Sequence, residues 1–312
     1  INIINHTRRN SLLNERKISA LITSLILICS VFGASGRAQA AGKHDLRVLA
    51  TFLPVYVFTK NVTAGVPGVK VDILIGTAVG CPHDYQLKPG EVKKIVSADV
   101  LVANGRIEEF LGAAVKKINP GIRILISGKD IKPIRGLDEV ENPHTWVSLS
   151  NAVKQVEAIR GFMVSIDPAN KEKYNANAVR YEKELSALRD TMKKEIAGFP
   201  NRKIVTFHDV FDYFAKDVGL EVVAYVEAVP GQEPSAGEIA KLMKKIKKSG
   251  AAAVYSEPQY PSRVVDMISR DTGRPYAELD PMAQTNLSNP PLDLFQSVMR
   301  KNLNTLKRTL GK

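Results

Sequence analysis

Three histidines and one aspartate are the residues of this 312-residue chain best suited to holding a metal ion. His83 stands in GCPHDYQLKPG, His144 in ENPHTWVS, His208 in VTFHDVFDYFA and Asp280 in AELDPMA, with successive separations of 61, 64 and 72 residues. Neutral imidazole suits zinc and other late first-row cations, and a carboxylate adds neutralising charge. Four protein ligands close a tetrahedron, whereas a catalytic zinc keeps a position open for water, so this set favours holding over hydrolysing. Each residue also has a plainer use. A histidine at a strand end is commonly a hydrogen-bonded loop residue, and an aspartate before proline commonly caps a turn. No HxxxH or CxxC pair decides between the two readings.

The elements around these residues favour convergence. Four short apolar runs precede residue 130 (Leu46–Thr51, Val69–Ile75, Ala98–Asn104 and Arg123–Ser127), and four follow residue 200 (Lys203–His208, Leu220–Val226, Ala252–Ser256 and Pro275–Asp280). Near-continuous runs of this length suit strands of a parallel sheet covered on both faces. Helical patterns at Glu91–Val96, Ile107–Lys117, Val210–Val218, Gly237–Lys248 and Ser262–Asp271 lie between them. The alternation occurs twice, which predicts an α/β fold of two lobes, each a mostly parallel four-stranded sheet with flanking helices. Between the lobes, Asn151–Ile166 reads as one amphipathic helix. A second is started by Asp167-Pro168 and stopped by Gly198 and Pro200. With Val179, Leu185, Leu188, Met192 and Ile196 on one side, this second helix of roughly 45 Å is a rigid linker joining the lobes. The expected segments are 1–40 signal peptide, 41–166 N-terminal lobe, 167–198 linker helix and 199–312 C-terminal lobe. In open α/β sheets ligands bind beyond the carboxyl ends of the strands, where all four candidate residues fall, two per lobe.

Composition sets the class. At 44% hydrophobic and 24% charged residues the chain is ordinary for a globular protein, which excludes disorder, collagen and a coiled coil. Ile18–Phe32 is a 15-residue apolar run preceded by Arg8, Arg9, Arg16 and Lys17 and followed by Ala38-Gln39-Ala40. That pattern is a cleavable secretory signal, shorter than the ~20 residues of a membrane span. Export and cleavage after Ala40 are expected, and with them a periplasmic location. Ile28 before Cys29 does not fit a lipidation signal. The remaining Cys81 allows no disulfide framework. Losing residues 1–40 removes five basic residues and one acidic residue, taking the net charge from +12 to +8. The lysine pairs 244–245 and 247–248 read as a solvated helix face, since no interleaved aromatics suggest nucleic acid.

PHDYQLKPGEVKKIVSADVLVANG, NPHTWVS, VTFHDVFDYFAKDVGL, YSEPQYPSRVV and AELDPMA, taken in that order, resemble the zinc- and manganese-specific periplasmic solute-binding proteins of ATP-binding-cassette transporters. The similarity runs from about Leu46 to the C-terminus. It implies two α/β lobes bridged by a long helix, with the cation in the interlobe cleft. It carries the metal ligands onto His83, His144, His208 and Asp280. His208 stands at a position that is typically Glu in manganese-associated members, and nitrogen-rich coordination also points to Zn2+ over Mn2+ or ferrous iron. The resemblance implies a monomeric, non-enzymatic carrier that delivers its cation to a membrane permease, with no nucleic-acid partner. A secreted metallohydrolase and a surface adhesin are the competing readings. The family's long histidine-rich loop is replaced here by IKPIRGLDEVEN, which has no histidine.

Several neighbours have two readings each. Cys81, two residues before His83, is either an extra soft ligand or a small buried turn residue. Glu257 either stands behind a ligand or pairs with a base such as Arg263. Asp209 either orients an imidazole through its second nitrogen or caps a helix. Tyr85 and Trp146 either wall the site or fill the core.

Overall fold

All eight apolar runs form strands. The computed structural model describes residues 45–311 apart from 84, 138, 227–234 and 261–262, so the expected signal segment lies outside the described residues. Strands β1 (Leu46–Ala50), β2 (Val69–Ile73), β3 (Val100–Ala103) and β4 (Arg123–Ile126) pair in the order β2-β1-β3-β4. Strands β5 (Lys203–Thr206), β6 (Glu221–Tyr225), β7 (Ala253–Ser256) and β8 (Tyr276–Glu278) pair as β6-β5-β7-β8. Every pairing is parallel. The β5–β6 register shifts between Ile204 and Val205, an irregularity shortly before His208.

Nine helices are described: α1 (Leu53–Thr63), α2 (Pro89–Ser97), α3 (Glu109–Ile118), α4 (Leu149–Ile166), α5 (Lys171–Ala197), α6 (Asp212–Val218), α7 (Ala236–Ser249), α8 (Arg263–Thr272) and α9 (Leu294–Leu310). Their ends follow local chemistry. Ser235 accepts from Glu238 N–H and Glu238 accepts from Ser235 N–H, a capping box that starts α7. Gly219 and Gly250, at φ of 85° and 71°, end α6 and α7 in the left-handed conformation that lacks a steric penalty only for glycine. Lys244, Lys245, Lys247 and Lys248 of α7 are exposed, as a solvated face requires.

Burial explains the apolar runs. Val48, Leu49 and Ala50 of β1 and Val100, Leu101 and Val102 of β3 all enter one large core, so both faces of that sheet are covered. In the second sheet the period of two divides the work. Ile204, Ala253 and Tyr255 face the large core, while Val205 and Val254 face a small separate cluster with Ile246 of α7 and Val265 and Ile268 of α8.

Helix α5 has 27 residues, about 40 Å of helix, and it is packed along its length. Tyr174, Ala178, Tyr181, Leu185, Leu188, Met192 and Ile196 are buried and join the core that also holds residues of both sheets. Val179 is a correction to the expected buried stripe: it is 62% exposed. Ala178 and Tyr181 occupy the inward positions, and Val179, one residue on, is rotated about 100° away. No helix among the described residues is long and apolar enough to cross a membrane.

Candidate metal centre

The carboxyl ends of both sheets deliver histidines to one place. His208 lies two residues beyond β5, in extended backbone at the head of a 3-10 turn (Asp209–Phe211) leading into α6. Thr206 Oγ1 donates to the His208 carbonyl (2.8 Å), tying the strand end to the turn. His144 precedes the 3-10 turn Thr145–Val147 that leads into α4. Its loop is held from behind: Asn104, at the end of β3, donates to the Pro143 carbonyl (3.3 Å) and accepts from Thr145 Oγ1 (2.6 Å). His83 sits in the connection from β2 to α2, where the Tyr85 hydroxyl donates to Glu91 of α2.

The three imidazoles face one another. Ring centroids lie 4.9 Å apart for His83 and His144, 5.1 Å for His144 and His208, and 6.1 Å for His83 and His208. His83 Nε2 and His144 Nε2 are 2.9 Å apart. One ligand atom from each of Cys81, His83, His144 and His208 lies within 4.8 Å of every other.

The outer nitrogens settle which atoms point inward. Asn142 Nδ2 donates to the Asp209 carbonyl (2.7 Å), which fixes the amide orientation and leaves Asn142 Oδ1 as an acceptor 3.0 Å from His144 Nδ1. His144 Nδ1 therefore carries hydrogen, and Nε2 presents its lone pair to the cluster. Asp209 Oδ1, 3.4 Å away, supports the same tautomer. His208 Nδ1 lies 2.5 Å from Glu257 Oε1, and Gln259 Nε2 donates to Glu257 Oε2 (2.6 Å). His208 Nε2 is buried with no hydrogen-bond partner among the described residues. An imidazole braced by a carboxylate on one nitrogen and open on the other is the usual arrangement of a metal ligand.

Electrostatics differ between these two rings. Burial, with His208 and His83 adding to it, holds His144 well below the ordinary histidine range, so it stays neutral. Burial also opposes charge on His208, but the Glu257 carboxylate and Cys81 push it well above that range. A cation at Nε2 therefore takes the place of a proton that Glu257 otherwise favours.

Asp280 behaves differently from the histidines. It follows β8, yet it is absent from the converging group of four. Asp280 Oδ1 accepts from Met282 N–H (2.7 Å), and its backbone exchanges two hydrogen bonds with the Asn302 side chain of α9. Met282 has φ of 64°, a left-handed conformation for a buried non-glycine residue, so the aspartate braces a strained turn. Burial raises its carboxyl pKa, and the nearby Glu257 and Glu278 raise it further.

The arrangement could hold a metal ion, and the sequence has relatives named for metal uptake. Residues 48–309 match the family of the periplasmic zinc-uptake complex component A. The chain belongs to this family. It is 31% identical over 313 residues to the zinc-binding lipoprotein AdcA of Streptococcus pneumoniae, a match covering 94% of this chain and 61% of that protein. It therefore spans about three fifths of that longer relative. The high-affinity zinc uptake system protein ZnuA of Bacillus subtilis is 29% identical, with 91% of this chain and 94% of that protein covered. Among solved structures, the solute-binding protein FpvC of Pseudomonas aeruginosa, in complex with Mn2+, superposes with a TM-score of 0.75 at 28% identity, covering 85% of this chain and 98% of that one.

Within the zinc-uptake component A fold, the neighbours of the candidate ligands are placed as follows. Glu257 is fully buried against His208 rather than paired with the exposed Arg263, and Asp209 faces His144. Trp146 lies 5.3 Å from His144, ring to ring, and its Nε1–H donates to the Pro281 carbonyl of the second half (2.9 Å). Asn142, which sequence reasoning did not single out, orients His144. The only available signal was its position two residues before a candidate ligand.

Proposed function

We propose that this chain is an extracytoplasmic binding protein that captures Zn2+ between its two halves and delivers it to the permease of an ATP-binding-cassette importer. His83, His144 and His208 hold the cation, and Asp280 and Cys81 are the two side chains available for a fourth position. The lobes divide near residues 166 and 198, and the exported form begins after Ala40. The observation that carries this reading is the convergence of three imidazoles within reach of one ion, with His208 Nε2 buried and its Nδ1 held by Glu257. The zinc-binding names of the relatives support the choice of metal. The manganese complex of FpvC keeps Mn2+ as the second reading, which nitrogen-rich coordination disfavours. A carrier fits better than a hydrolase because a fourth protein donor is at hand to close the site, where a catalytic zinc keeps a position open for water.

Zinc titration against a competing chelator tests this. His208→Ala should weaken zinc binding by more than the roughly 100-fold upper end for losing an outer partner, since it removes a ligand itself. Unchanged affinity in that variant would remove this site as the place of capture. Wild-type protein that takes manganese in preference under equal supply would reverse the metal assignment.

A further inference from the structure

The sulfur of Cys81 has a better claim to the fourth coordination position than the carboxylate of Asp280. Cys81 and His83 lie two residues apart in the same connection between β2 and α2. Their segment is seated on the second half at Gly80, whose φ is 47° and whose absent Cβ leaves Gln259 Cγ 3.8 Å from where it would stand. Gln259 also holds Glu257 behind His208, so one side chain registers the Cys81–His83 segment against the opposing ligand. The result places Cys81 within 4.8 Å of all three imidazole ligand atoms, while the Asp280 carboxylate is outside the group and engaged with Met282 N–H. A tetrahedral zinc with arms of about 2.0–2.3 Å separates its ligands by about 3.5 Å. Ion binding therefore requires the 2.9 Å His83–His144 pair to open by about 0.6 Å, and a pair at the 4.8 Å limit to close by about 1 Å.

We propose that Cys81 is the fourth ligand, as thiolate, in place of Asp280, and that this set of one thiolate and three imidazoles selects zinc and other thiophilic cations against manganese and ferrous iron. The proposal rests on the reading of the cluster as the cargo site. Thiolate and carboxylate bring the same single negative charge to three neutral imidazoles, so the exchange leaves the electrostatic balance alone. It changes softness: sulfur favours zinc and other soft or borderline cations, while manganese favours oxygen.

Cobalt(II) is the probe, in the full chain carrying Cys29→Ser so that Cys81 is its only thiol. Loading should produce a thiolate-to-cobalt charge-transfer band and should block reaction of Cys81 with a thiol-specific disulfide reagent. Cys81→Ser should still bind cobalt through the imidazoles but lose that band. Its preference for zinc over manganese should fall by about 100-fold, and Asp280→Asn should shift zinc affinity by less than about tenfold. Cobalt bound through the histidines without a charge-transfer band would overturn the assignment of Cys81 while leaving the cargo site intact. So would unchanged zinc affinity in Cys81→Ser together with a large loss in Asp280→Asn. Failure of the wild-type chain to bind cobalt or zinc at all would overturn the cargo-site reading, and this proposal with it.

Discussion

The two sheets share one strand order but deliver their histidines over very different lengths of chain. The second sheet releases His208 two residues after β5 ends. The first releases His83 ten residues after β2 and His144 eighteen residues after β4. A short tether inherits its position from the register of the sheet. A long one must be clamped, and many of the clamps come from the opposite half. Asn142 holds the Asp209 carbonyl, Trp146 holds the Pro281 carbonyl, and Thr285 N–H donates to the Thr77 carbonyl (2.7 Å). The first half thus carries two of the imidazoles, and the second half says where they stand.

That asymmetry breaks most visibly at Trp146, which is fully buried between the ring of Phe52, at 4.9 Å, and His144. Trp146→Ala should cost about 3–5 kcal/mol of stability in the metal-free protein, measured by urea unfolding followed by circular dichroism. It should also weaken zinc binding, because it unseats the His144 loop. A loss below about 1 kcal/mol would mean that the clamp lies elsewhere.

Glu108, which precedes α3, sharpens the comparison on the side of the first sheet. Its Oε1 accepts from Thr51 Oγ1 (2.7 Å) and from Asn104 N–H (2.7 Å), and Asn104 in turn steadies the His144 loop. Burial raises its carboxyl pKa from 4.5 to about 7. Between those values the native state keeps a proton that the unfolded chain gives up, so Glu108 costs stability as pH rises through that window. The total is about 3 kcal/mol as an order of magnitude. Urea midpoints of the metal-free protein at pH 5 and pH 7 should converge in Glu108→Gln and differ more in the wild type. Equal pH dependence in both would assign the slope to other groups.

In the second half, Glu257→Gln keeps the shape behind His208 and removes the charge. A 10–100-fold loss of zinc affinity is expected, roughly the range for an outer partner of a ligating imidazole. The same substitution should leave the urea midpoint of the metal-free protein closer to wild type than Trp146→Ala does. If it did not, the short tether would be no better braced than the long ones.

Much of this was legible in the residues. Eight β-branched runs become eight strands, and three scarce histidines meet, though only His208 sits at a strand end while His83 and His144 lie well along their loops. Helix α1 was not legible, for a physical reason: ten of its eleven residues are buried. LPVYVFTKNVT accordingly has no polar stripe to reveal a helical period. Helix α9 does carry a stripe at Phe295, Met299, Leu303, Leu306 and Leu310, and it holds Asp280 through Asn302, a contact no spacing announces. Whether an aspartate before proline ligates or braces a turn depends on where its carboxylate finds a donor. Here it finds Met282 N–H. Glu257 posed the same difficulty in reverse, since its partner is 49 residues away in sequence.

The chain contains a single tryptophan, and it is the one beside His144. The indole is therefore an optical gauge built into the centre. Its emission intensity reads the state of the neighbouring imidazole, and its wavelength reads whether Nε1–H still faces the Pro281 carbonyl or has turned to water. Metal binding and the seam between the halves can thus be followed in the unlabelled protein, in one cuvette.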